Sequence, residues 1–299
     1  MKVGIIGIGK LGSIHLRIYK EIKQIDKIYI ADTAEKKLHP FKDIASFTDY
    51  RQMPGDVDFV NIVTPTYTHF EIAKFFLERK IPVFVEKPIT CNLEEANKLL
   101  DIAKSKKTLL FVGHVERYNN AYLAAKKTIK NPIFIECHRL SQYPHRSLDI
   151  GVVLDLMIHD LDIILDLLKD EIKNVEAKGV KVISSTEDIA NVRITFKKGC
   201  VANITASRIS EKKERKIRIF MHNCYVSLDY AKQAAEIYQK TDNNITKNVL
   251  SINKEEPLKK EISEFVSLVK NNTFDTDSAQ GARDALELAL KIQEIITAN

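Results

Sequence analysis

Tryptophan is missing from this 299-residue chain, and cysteine, methionine, proline and glycine number only 4, 4, 8 and 10. Cys91, Cys137, Cys200 and Cys224 stand far apart with no Cys-x-x-Cys spacing, which excludes a disulfide framework and argues against a structural zinc site. Ordinary reduced thiols in the cytoplasm, and no bound metal, are the expectation. The chain also lacks internal repeats, low-complexity tracts and any long apolar run. Its start, VGIIGIG, is short, broken by glycine and followed by a polar amphipathic segment, so it reads as a first strand and not as a signal peptide or membrane span. An excess of one charge is lacking too. Forty-six basic residues stand against 40 acidic ones, and the bases are scattered. Even the densest run, EKKERKIR at 211–218, mixes signs as a solvated face does, so no nucleic-acid partner is expected.

What is present is ordinary globular material, 44% hydrophobic and 29% charged, in a length that suits two domains. Up to about residue 113, short apolar runs alternate with helical patterns: KVGIIG, KLGSIHLRIYKEI, KIYIAD, DFVNIVT, THFEIAKFFLERK, IPVFVE, NLEEANKLLDIAKS and TLLFVG. Strand and helix in turn, with short links, predict a doubly wound parallel sheet covered on both faces. Asn92, with Glu95 three residues on, makes a capping-box pattern before a helix at about 93–104. Beyond residue 120 the texture changes to one short helix, a strand at IFIECHRL, the helix VVLDLMIHDLDIILDLL, and then period-two stretches such as NVRITF, VANITASRI, KIRIFM and YVSLDY. Consecutive strands after a helix predict an α+β domain on a largely antiparallel open sheet. Residues 231–256 are polar and weakly patterned, consistent with loops and short edge strands. Two amphipathic helices close the chain, EISEFVSLV and ARDALELALKIQEII. The expected organisation is a first domain over 1–117 and a second over 118–299, with a C-terminal helix at about 278–297 packing back on the body.

Gly7, Gly9, Lys10, Leu11 and Gly12 lie in GIGKLG, a GxGxxG directly after the first strand and opening the first helix. The first glycine permits the tight turn, the second lets backbone approach a pyrophosphate, and the third allows close helix packing, while the helix N-terminus favours the phosphate charge. Alone the motif is weak. Here the second strand ends in KIYIAD and brings Asp32 twenty residues past Gly12, where a carboxylate accepts from both ribose hydroxyls of an adenosine. Together they predict a Rossmann dinucleotide-binding domain. Asp32 would repel a 2′-phosphate, and Thr33 and Ala34 follow it where an arginine would suit NADP, so NAD is preferred; Lys36 and Lys37 are the residues that argue the other way.

Ligands of such sheets bind outside the carboxyl ends of the strands. Lys87 of VFVEKPIT stands at one such end, Thr64 and Pro65 of NIVTPTYTH at another, and Gly113 with His114 at a third. In VVLDLMIHDLD, one helical turn separates Asp155 from His159, which puts both on one face and offers acid–base chemistry. A metal site from His159, Asp160 and Asp162 is unfavourable, because adjacent residues point to different faces and no further ligand cluster exists.

These residues resemble the Gfo/Idh/MocA oxidoreductases. GIGKLGSIH, TPTYTH, VEKPIT and the DLMIHD helix occur in that family's order and approximate spacing over essentially the whole chain. The resemblance implies that Lys87 lies beside the reacting carbon and the nicotinamide, and that Asp155 and His159 contact the reacting hydroxyl. It also implies cofactor contacts from Thr64, Pro65, His69 and Glu86 besides the glycine loop, while His15 and His69 read as residues that cap or orient loops and do not catalyse. Asn120 stands where relatives often carry proline. Removing hydride from a carbinol carbon needs a base for the hydroxyl proton, and His159 is the natural one. Lys87 would hydrogen-bond the developing alkoxide. Glu86 would balance the lysine or touch the nicotinamide ribose.

YPHRSLDIGVVLDLMIHDLD and TASRISEKKERKIRIF resemble most the subgroup of this family that oxidises the 3-hydroxyl of UDP-N-acetylglucosamine. The implied product is a 3-keto sugar nucleotide, which a partner aminotransferase converts to an amino sugar for lipid A or surface polysaccharide. A diphosphate substrate wants arginines, and Arg117, Arg146 and Arg208, with Tyr118, are the candidates. The alternatives are a dehydrogenase of a free polyol or sugar such as inositol or glucose, and a non-catalytic dinucleotide-responsive binder. The resemblance further implies a homodimer or homotetramer formed through the open face of the second sheet.

Overall fold

A computed structural model describes residues 1–143, 150–242 and 244–298. Arg146 lies outside the described residues. The chain forms two units, Met1–His114 with Leu258–Arg283, and Val115–Pro257 with Asp284–Asn299.

In the first unit, strands β1 (Lys2–Ile6), β2 (Lys27–Ala31), β3 (Ala45–Phe47), β4 (Phe59–Ile62), β5 (Val83–Glu86) and β6 (Leu110–Gly113) make a six-stranded sheet in the order β3-β2-β1-β4-β5-β6. All pairings are parallel. The strands are fully buried along β4 and β6, which is why neither reads as an alternation of apolar and polar residues; Asn61 is the polar exception in β4. Helices α1 (Lys10–Glu21), α2 (His69–Glu78) and α3 (Leu93–Lys106) are the crossovers. Asn92 caps α3 as expected, its side-chain oxygen accepting from Glu95 N–H at 2.9 Å. Strand order reverses between β1 and β4, the switch point where ligands of such sheets bind.

The second unit starts with helix α4 (Asn120–Lys126), strand β7 (Phe134–Leu140) and helix α5 (Ile158–Leu168). It continues with β8 (Ile172–Val180), β9 (Ile189–Phe196), β10 (Val201–Ser207), β11 (Glu214–Met221), β12 (Cys224–Asp229), β13 (Ala234–Thr241) and β14 (Asn244–Val249). These strands and β7 form one eight-stranded sheet, order β14-β13-β12-β11-β7-β10-β9-β8, antiparallel except for the β7–β10 pair. The α+β prediction holds, and the polar stretch read as loops and edge strands supplies β13 and the exposed edge β14. Period two puts Ile135, Ile219, Val226 and Ile237 in the core. On the other face, Phe134, Phe220, Tyr225 and Tyr238 pair in register across four strands, with ring centroids 5.7, 5.2 and 4.4 Å apart. This half-buried aromatic row has no counterpart among the sequence expectations.

Two helices close the chain, α6 (Pro257–Lys270) and α7 (Asp277–Ala298). Residues 258–283 belong to the first unit, which corrects the boundary at 117 and the assignment of everything after it to the second domain. The reason is apolar burial. Phe265 is fully buried against Phe59, Phe84 and Phe111, with centroids 5.3 to 5.5 Å away. Ser278 of α7 accepts from Val112 N–H at 3.0 Å and donates to its carbonyl, satisfying the open edge of β6. No helix among the described residues is long and apolar enough to cross a membrane.

Candidate active site

The nucleotide end rests on three glycines that differ in why they are glycine. Gly7 has φ +92°, and a Cβ there would stand 2.5 Å from the Val63 carbonyl oxygen. A Cβ on Gly12 would come within 1.9 Å of the Gly7 carbonyl oxygen, so the turn and the helix can touch only without side chains. Gly9 faces open space, so the fold itself does not require it. An open approach there and an α1 N-terminus without side-chain cap or acidic residue leave main-chain donors for a pyrophosphate. Lys10 and Leu11, in the first turn, are exposed. Asp32, 8% exposed, ends β2 and accepts from the main-chain N–H groups of Ile8 and Ala34, both at 2.9 Å. The residues present therefore fit a dinucleotide.

Lys87 follows β5 and is half-buried. Its neighbour Glu86 is held from two sides. Glu86 Oε1 lies 3.1 Å from His15 Nε2, and Oε2 accepts from the Lys87 N–H at 3.3 Å. His15, fully buried on α1, places Nδ1 2.7 Å from Asn61 Oδ1. Gly113 leaves the room this carboxylate fills, since a Cβ there would stand 3.0 Å from Glu86 Oε1. Glu86 thus ties β5 to α1 and β4, a role absent from the two readings of the sequence.

His69 departs from the expectation of a cofactor contact. It is 1% exposed, with Nδ1 2.9 Å from the Pro88 carbonyl oxygen and Nε2 2.9 Å from that of Thr64. Each ring nitrogen faces a main-chain carbonyl, and whichever carries the proton donates to its own, so His69 sits between the loop after β4 and the loop after Lys87 instead of meeting a ligand. Burial pushes its imidazole below the ordinary range, against the pull of the two carbonyls. Thr64 accepts from the Thr68 hydroxyl at 2.7 Å, and Pro65 is exposed.

In the second unit, Asp155 and His159 are both half-buried. Asp155 sits in a single π-helical turn, Val153–Met157, that runs straight into α5. Such turns widen the backbone and recur at functional sites. The next acids along α5 are committed elsewhere. Asp160 takes a two-pronged contact from Arg139, at 2.8 and 2.9 Å, and Arg139 also donates to Glu116 at 2.9 Å. Burial raises the Asp160 pKa, with Arg139 opposing. Asp162 takes the Arg117 guanidinium at 2.6 and 2.7 Å.

The arginines expected to meet a diphosphate fare differently. Arg208 is wholly buried, donating to Asp188 at 2.9 Å, to the Ile150 carbonyl at 2.8 Å and to the Thr186 hydroxyl at 2.7 Å. It is a core residue, and its assignment to substrate is corrected. Arg117 is bound to Asp162 and its side chain keeps 26% exposure, and Tyr118 beside it is half-buried. Sequence reasoning missed Arg139 and Glu116. The signal was there, because period two along IFIECHRL puts Arg139 on the inward side with Ile135 and Cys137, and an inward arginine needs a buried acid.

Residues 1–114 match the description "Oxidoreductase family, NAD-binding Rossmann fold", and residues 124–226 match "GFO/IDH/MocA C-terminal domain". The UDP-N-acetylglucosamine 3-dehydrogenase of Acidithiobacillus ferrooxidans is 31% identical over 100% of this chain and 98% of its own. The chain belongs to the Gfo/Idh/MocA oxidoreductase family. The crystal structure of that same enzyme superposes with a TM-score of 0.91 over 100% of this chain. The myo-inositol 2-dehydrogenase of Thermotoga maritima is 28% identical over 70% of this chain and 69% of its own. Levoglucosan dehydrogenase in complex with NADH shares the fold at TM-score 0.88 and 18% identity, covering 100% of this chain and 97% of its own. This Gfo/Idh/MocA protein is an NAD-dependent dehydrogenase.

Proposed function

We propose that the enzyme takes hydride from a secondary hydroxyl of a sugar, the 3-hydroxyl of UDP-N-acetylglucosamine, giving a 3-keto sugar nucleotide. The observation that carries this reading is coverage. Similarity to the UDP-N-acetylglucosamine 3-dehydrogenase extends over the whole of both chains, whereas that to the inositol enzyme stops at about two thirds. The product would go to an aminotransferase. Assembly into a homo-oligomer is supported by the half-buried aromatic row on the open sheet face.

NAD supplies the hydride acceptor. Gly7, Gly9, Lys10, Leu11, Gly12 and Asp32 would hold its adenosine and pyrophosphate, with Thr64, Pro65 and Glu86 near the rest. His159 takes the hydroxyl proton, since an imidazole is the side chain whose ordinary pKa suits a base near neutrality. Asp155, on the preceding turn, orients the hydroxyl. Lys87 donates to the oxygen as it gains charge; its cation has most effect where water is excluded.

The test separates chemistry from binding. Lys87→Ala and His159→Ala should each lower kcat by about 10²-fold or more while NADH still binds with wild-type affinity by fluorescence. Full activity in either variant would remove that residue from the mechanism.

A further inference from the structure

The carboxylate that reads the cofactor is already covered by a cation. Asp32 has about four lone-pair directions. Two are used by the main-chain N–H groups of Ile8 and Ala34. The other contacts come from Lys37, whose Nζ lies 3.1 Å from Oδ2 and 3.3 Å from Oδ1. Lys37 ends the short helical turn Glu35–Lys37 that follows β2, and its side chain keeps 45% exposure against 6% for Asp32. The lysine therefore forms the solvent side of the pair, where an adenosine ribose has to arrive.

We propose that Lys37 sets the preference between NAD and NADP by covering Asp32. Two consequences of opposite sign follow from one contact. A ribose diol must hydrogen-bond to the carboxylate oxygens that Lys37 holds, so the lysine competes with NAD. A 2′-phosphate, which a bare Asp32 would repel, meets a neutralised carboxylate with an ammonium beside it, so the same lysine favours NADP. The chain thus carries an acidic reader for NAD together with a cation that blunts it. The inference rests on the dinucleotide site and is independent of which sugar is oxidised.

The experiment needs no sugar and no turnover. NADH and NADPH are titrated by nicotinamide fluorescence into the full-length wild type, Lys37→Met, and Lys37→Met in an Asp32→Asn background. Lys37→Met keeps the apolar stem and removes the charge. It should tighten NADH and weaken NADPH, each by about threefold, so that the selectivity ratio changes by roughly tenfold, as fits a partly exposed pair. In the Asp32→Asn background, Lys37→Met should leave NADH affinity unchanged, since the lysine acts on NAD only through that carboxylate. Affinities that move in the same direction, that do not move, or that respond equally in both backgrounds overturn the proposal. A merely structural role for Lys37 gives the first of these results.

Discussion

Replacing Arg139 with methionine should cost the fold about 3 to 5 kcal/mol, the usual range for breaking a buried ion pair from one side. Arg139 is 3% exposed and bridges Asp160 and Glu116, which are 2% and 7% exposed. Its removal leaves Asp160 without its ion-pair partner and Glu116 with only the Arg215 guanidinium, 4.0 Å away and largely exposed, and its three hydrogen bonds of 2.8 to 2.9 Å disappear together. At roughly 2–4 °C per kcal/mol for a unit of this size, the melting transition should fall by about 10 °C. The pH dependence gives the loss its own sign. Burial raises the Asp160 carboxyl even in the intact protein, and without Arg139 the folded form must hold protons that the unfolded chain releases above about pH 4. A raised folded pKa contributes stability at low pH that is lost as pH rises. The deficit of Arg139→Met should therefore be smallest near pH 5 and grow toward pH 8. Scanning calorimetry at both pH values measures it. A deficit below about 1 kcal/mol, or one that does not change with pH, would refute the reasoning.

The glycines make a paired prediction: Gly12→Ala, whose Cβ meets the Gly7 carbonyl at 1.9 Å, should lower both the melting temperature and NAD binding. Gly9→Ala, facing open space, should leave melting unchanged and weaken NADH about tenfold or more; normal NADH binding by this variant would deny it a place against the pyrophosphate. Asp188 is wholly buried; burial works to raise its carboxyl, but the N–H groups of Ser184 and Ile183 and the Arg208 guanidinium outweigh this and hold it well below the usual range. That stability is fully present above about pH 4 and lost as pH falls below it. Asp188→Asn should be less stable at pH 7 by about 1.5–3 kcal/mol and should lose less than wild type on acidification, as urea unfolding at pH 7 and pH 3 would report.

Much of the first unit is legible in the sequence because local signals there agree. Glycine spacing, the strand ending at Asp32, the Asn92 cap and the alternation of strand with helix all name the same fold, and each depends on residues near one another in the chain. The roles of the arginines are not legible in that way. Arg208 looks like a ligand-binding candidate until the fold brings Asp188 to it, and the inward register of Arg139 calls for a buried acid without naming Asp160; each pair is joined across about twenty residues of chain. Amphipathicity in α6 says that one face is buried but not on which sheet, so Phe265 could be assigned only once Phe59, Phe84 and Phe111 were seen around it. His69 shows a third limit, since a motif names a residue without saying whether it meets the ligand or fastens the loops that do.

The direct measurement is NADH formation from NAD with UDP-N-acetylglucosamine, beside UDP-glucose, myo-inositol and glucose, with an aminotransferase and amine donor added to pull the ketone forward. NADH should form with the N-acetylated sugar nucleotide alone. NADH from myo-inositol or glucose, with none from the nucleotide sugar, would contradict the proposed oxidation and leave a polyol dehydrogenase in its place.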